Sequence, residues 1–99
     1  MNRILLVAAA GLSLCACTSF KDDVVTICDA PDKIGDTTNM KPSQRMELMG
    51  QYCSENVKSK EGKDFLWVLS SSGRGARNKM LRVQAARFGI NPCHLADIP

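Results

Sequence analysis

Arg3 followed by an apolar stretch from Ile4 to Leu14, broken only by Gly11 and Ser13, and then by Cys15-Ala16-Cys17, sets the limits within which this 99-residue chain can fold. One cation, an apolar run and a small-residue site are the parts of a secretion signal. A helix that spans hydrocarbon needs about 20 apolar residues. The stretch here is shorter and runs into Thr18, Ser19 and Lys21, so a permanent membrane span is the weaker reading. With residues 1–16 removed, what remains is one domain at most. A chain of that size buries too little apolar surface for a wide stability margin, and small exported domains commonly add disulfides in their oxidising compartment.

The run Leu14-Cys15-Ala16-Cys17 resembles the lipobox of bacterial lipoproteins, in which a small hydrophobic residue and two small residues precede a cysteine. The resemblance implies cleavage after Ala16 and lipidation of Cys17. Each buried methylene contributes about 0.8 kcal/mol, so one acyl chain binds marginally whereas two or more anchor stably. Thr18 stands where lipoproteins kept at an inner membrane often carry Asp, which implies the outer membrane, on its periplasmic or its surface face. The alternative is an ordinary secretory cleavage near Ala16 that releases a free protein. The rest of the chain, from Cys28-Asp29-Ala30-Pro31 through a helical middle to Gly89-Ile90 and Cys93-His94-Leu95-Ala96-Asp97, is similar to small exported or lipid-anchored helical proteins of proteobacteria with no assigned activity. That likeness bears on fold and location alone.

The organisation expected is a signal peptide over 1–16, a lipidated tether over 17–27 and a small helical domain over 28–99. Lys21, Asp22 and Asp23 keep the tether in water, and Val24, Val25 and Ile27 make first contact with the domain. Cys28 to Asn39 is rich in turn formers and lacks a period, so it reads as a loop, with room for one helical turn at Pro31 to Ile34. Pro42 opens a helix carried to about Lys58, on which Met46, Met49, Cys53 and Val57 form a stripe widened by Tyr52 and Leu48. Gly50 would let another backbone approach. Ser59 caps a second helix containing Phe65-Leu66-Trp67-Val68-Leu69, ended by Ser70-Ser71-Ser72-Gly73. A third runs from Gly75 or Ala76 to Phe88, closed by Gly89 in a left-handed cap, and Asn91-Pro92 starts a short terminal helix over Cys93 to Ala96. The fold class is all-α, a three- to four-helix antiparallel bundle.

Beyond Cys15 and Cys17, three cysteines remain, so one is left over. Joining Cys28 to Cys93 staples the beginning and end of the domain, while Cys53 lies on the core stripe, where a free thiol acts as a small hydrophobe. Cys28 with Cys93 is therefore the favoured disulfide, with pairing of Cys53 to either one as the alternative. His94 is the only histidine. The cysteines are far apart, without the close pairs that metal sites use, and adjacent helical residues point about 100° apart, so neither a metal site nor a Cys93-His94 catalytic pair is expected. A surface histidine beside a structural disulfide is. No catalytic residue and no cofactor is assigned.

Arg74, Arg77, Lys79, Arg82 and Arg87 scatter around a helical projection, as on a solvated face. Weak attraction to an anionic surface, or an internal match to Asp22, Asp23, Asp29, Asp32 and Asp36, are the alternatives. The formal net charge is only +3 and falls when Arg3 leaves with the leader, which points to no nucleic-acid partner. Trp67 projects away from the face that Phe65, Val68 and Leu69 can share, which marks it, with Arg74 and Arg77, as a candidate partner contact. In so small a domain, burial of Trp67 beneath the Cys28–Asn39 loop is the stronger expectation. The functional reading is a non-enzymatic envelope lipoprotein, held by its lipid, that binds an envelope protein or wall component. The alternatives are an envelope thiol or redox enzyme using Cys53 or Cys93-His94, and a purely structural surface lipoprotein.

Overall fold

Ser19 caps a helix. Its hydroxyl accepts the Asp22 backbone N–H at 3.2 Å, and Asp22 and Asp23 occupy the first turn, where carboxylates meet the positive end of the helix dipole. The helix they open is α1, Phe20–Lys33, in the computed structural model, which describes residues 19–98. Residues 1–18, which hold the expected signal peptide and lipidation site with Cys15 and Cys17, lie outside the described residues. Where the sequence suggests a tether to Ile27 and a loop from Cys28 to Asn39, the chain is helical and central from Phe20 to Lys33, and only residues 34–39 form the expected loop. Val24, Ile27, Cys28 and Ala30 are completely buried. Pro31 is tolerated because it sits in the last turn, where one lost hydrogen bond costs little. Gly35, at φ +87°, then turns the chain out of the helix.

Three more helices follow: α2, Pro42–Asn56; α3, Lys60–Ser70; and α4, Arg74–Phe88. A 3-10 turn over His94–Asp97 closes the domain. The expected stripe on α2 is real, with Met49, Cys53 and Val57 buried and Met46 and Tyr52 packed at its edge, though the helix stops at Asn56. The Ser59 hydroxyl accepts the Gly62 N–H at 2.9 Å and starts α3 as expected. The hydroxyls of Ser70, Ser71 and Ser72 bond back to the carbonyls of Leu66, Trp67 and Val68, competing with the backbone and ending that helix. Gly89 is left-handed at φ +70°, and the N–H groups of Gly89 and Ile90 bond to the carbonyls of Ala86 and Ala85. No strand occurs among the described residues.

Helix α1 packs against α2, α3, α4 and the 3-10 turn, and the disulfide between Cys28 and Cys93 joins it to the chain just before that turn. The Cα atoms of the two cysteines lie 4.6 Å apart across a sequence separation of 65 residues. Closing a loop of that length contributes about 4 kcal/mol in the chain-entropy account. Asp23, read from the sequence as a solvated charge, is buried. Its carboxylate accepts the backbone N–H groups of Lys58 and Ser59, at 3.0 and 2.9 Å, and the Ser59 hydroxyl. One buried carboxylate thus pins the α2–α3 corner onto α1.

Gly62 makes that docking possible. A β-carbon there would stand 2.7 Å from the Asp23 β-carbon, whereas one at Gly50 meets nothing within 4 Å. The close approach expected at Gly50 therefore belongs to Gly62. Replacing glycine by alanine inside a helix ordinarily stabilises by about 1 kcal/mol. Gly50→Ala should do so in urea unfolding, and Gly62→Ala should instead destabilise by about 2 kcal/mol through overpacking.

Candidate functional site

The outer side of α3 carries the largest exposed apolar group of the domain. Trp67 is 72 % exposed and Val68 beside it 45 %. The expected burial of Trp67 fails because the first half of the segment meant to cover it, Cys28–Lys33, belongs to α1, whose buried face packs into the core and not over the indole. A shallow groove of about 250 Å³ borders the indole, lined by Ser54 of α2, Val57 just past the end of that helix, and Lys63 and Leu66 of α3. Its floor is apolar and its rim carries a hydroxyl and an ammonium group, the composition of a contact surface with an anchoring aromatic.

Arg74 and Arg77, grouped with Trp67 on sequence grounds, do not line this groove. Arg77 closes a separate cleft of about 110 Å³ between α2, α3 and α4, which shares only Leu66 with it. The Arg77 Nη1 lies 3.7 Å from the Met46 sulfur and its Nε donates to Asn78 Oδ1 at 3.2 Å. Partial burial, followed by repulsion from Arg74, lowers its pKa. The remaining cations of α4 are largely solvated. Arg82 donates to the Ala96 carbonyl at 2.8 Å and lies 3.7 Å from Asp97, and Arg87 lies over the Phe88 ring. The acidic residues of the leading segment do not match them: Asp23 is held at Lys58 and Ser59, Asp32 meets His94, and Asp36 accepts from Thr38.

Cys53 is a buried free thiol at the base of the Arg77 cleft. Desolvation pushes it up to about 11 from an ordinary value of 9.0. Near neutrality it is a packing group with almost no thiolate. Cys93, being joined to Cys28, offers no thiol beside His94. His94 Nδ1 contacts the Asp32 carboxylate, and Asp29, one helical turn before Asp32, brings a third ligand atom to within 4.8 Å of these two. The sequence did not suggest this trio because the Asp29–Asp32 spacing is meaningful only once α1 is helical. Its groups are partly or largely exposed, and a surface hydrogen bond between His94 and Asp32 accounts for the contact.

No protein-family model matches the chain, and neither a curated protein nor a solved structure matches it. The reading of the site therefore rests on its own geometry.

The thiol environment yields a direct check. In the native protein without reductant, an alkylating reagent at pH 8 should label Cys53 extremely slowly, since only about one thiol in a thousand is ionised for a pKa near 11. In denaturant Cys53 should react at once, read from the mass of the peptide that carries it. Rapid native labelling would contradict the buried setting.

Proposed function

We propose that this chain is a lipid-anchored protein of the bacterial cell envelope, held at the outer membrane through Cys17, and that its helical domain is a non-enzymatic binding module. The observation that carries the second half is the exposure of Trp67 beside Val68 at the edge of an apolar groove. Indole is the most costly side chain to leave in water, and its burial removes on the order of 150 Å² of surface, about 4 kcal/mol before the costs of association. The partner this favours is an envelope protein or wall component with an apolar recess for the ring. Among the described residues no helix is long and apolar enough to cross a membrane, so in this reading the lipid supplies the attachment.

The buried, high-pKa Cys53 and the pairing of Cys93 weigh against the thiol-enzyme alternative, since both remove the nucleophile that it needs. Against a purely structural surface protein stands the apolar patch itself, which bulk solubility would disfavour.

Two measurements test the proposal. The intact mass of protein extracted from membranes without reductant should begin at Cys17 and include acyl chains, and a mass without lipid would remove the anchor. With a photo-crosslinker placed at Lys63, Trp67→Ser should reduce the yield of a defined crosslinked species in envelopes at least tenfold while leaving helical content unchanged. An equal yield would sink the assignment of Trp67.

A further inference from the structure

Resting on the lipid anchor proposed above, we infer that no tether separates the anchor from the domain, and that the aromatic end of the bundle, Phe20 with Phe65 and Phe88, lies directly on the bilayer that holds the Cys17 acyl chains. The argument starts from chain length. Ser19 is already fixed to α1, since its hydroxyl accepts the Asp22 N–H at 3.2 Å and its carbonyl accepts the Asp23 N–H at 3.1 Å. From the Cα of Cys17 to that of Ser19 the chain can reach no more than about 7.6 Å. The headgroup layer of one leaflet is itself roughly 5–7 Å thick. An acylated Cys17 therefore leaves the first turn of α1 at headgroup level.

The residues gathered at that turn suit the position. The Phe20 ring meets Phe65 edge-on with centroids 5.4 Å apart and Phe88 at 5.8 Å. All three rings are half-buried, so each keeps a face or edge outside the core. Phenylalanine is among the side chains by which surface-lying segments dip into the boundary between headgroups and acyl chains. Two cations flank them: Lys21, exposed on α1, and Arg87, whose guanidinium lies 4.8 Å from the Phe88 ring centroid. Such side chains pack their stems on apolar surface while their charged ends reach phosphate. Asp22, also exposed, is set against the positive end of α1. The contact itself can be weak, because the anchor makes it intramolecular and supplies the effective concentration.

Docking in this way gives the domain an orientation. Phe65 and Trp67 are two residues apart on α3, about 200° around its axis. With Phe65 on the bilayer, Trp67 points away from it. The His94–Asp32 pair, twelve residues along α1 from Phe20, stands about 18 Å from the anchored end. The lipid surface thus holds the Trp67 groove open to the aqueous space.

The test uses the full lipidated protein, its acylation verified by mass, in vesicles of phosphatidylethanolamine and phosphatidylglycerol with or without lipid brominated on its acyl chains. In a Trp67→Phe background, Phe88→Trp and, separately, Phe65→Trp should lose most of their emission to the brominated lipid, and a long flexible glycine-serine insertion between Thr18 and Ser19 should restore it. In the native chain, Trp67 should lose little. Unquenched reporters in a lipidated, helical protein would overturn the docking and leave the anchor standing. Heavy quenching of native Trp67 would overturn the orientation even if both reporter variants misfolded. Protein without lipid would overturn the docking together with the anchor.

Discussion

Val24, Ile27, Cys28 and Ala30 present no surface to water, and every other element of the domain meets the chain on that face of α1. Helix α2 reaches α3 at the corner pinned by Asp23, and α3 reaches α4, but what gathers all of them around one core is the apolar stripe between Phe20 and Ala30. The two devices that hold this stripe in place differ in kind. The Cys28–Cys93 link acts through the unfolded chain, by limiting how far its ends can wander. The Asp23 carboxylate acts in the folded state, by satisfying donors that the α2–α3 corner would otherwise bury unpaired.

The stripe is also the part of the fold least visible in the sequence. Helices α2, α3 and α4 announce themselves through a first-position proline, a serine cap, a glycine stop and regular apolar spacing, and the structure follows those signals to within a few residues. Around α1 the same signals were present, with Ser19 as cap and Asp22 three positions on, but they were outweighed by composition. Asp23 counts as a solvated residue until its three donors are known, and those lie on Lys58 and Ser59, far along the chain. Asp29, Pro31 and Asp32 favour turns in the absence of tertiary contacts. Burial overrode these preferences once α1 had four neighbours to pack on.

The misreading of α1 propagated. A loop over all of residues 28–39 would offer a cover for Trp67 and leave its acidic residues free to pair with α4. As the last part of a helix, residues 28–33 send Cys28 and Ala30 inward, turn Asp29 and Asp32 toward His94, and leave Trp67 uncovered. The pairing of Cys28 with Cys93 is nevertheless legible in the sequence, because it rests on Cys53 belonging to a core stripe, a local property of α2, and on the other two cysteines bracketing the domain. The trio of Asp29, Asp32 and His94 is not, because it requires two segments whose proximity only the folded chain reveals.

The position of α1 at the start of the domain has a consequence for how the chain is made. Synthesis from the amino end delivers α1 first, yet the cysteine and the leucine that cover it, Cys93 and Leu95, arrive last. During that interval Cys28 is an open thiol, and the next cysteine to emerge is Cys53. What protects the correct pairing is the burial that Cys53 finds on α2, since a thiol withdrawn into a core is a poor partner for exchange. The burial of Cys53 on α2 thus matters for pairing as well as for packing, because it withdraws the intervening thiol from competition with Cys93 for Cys28.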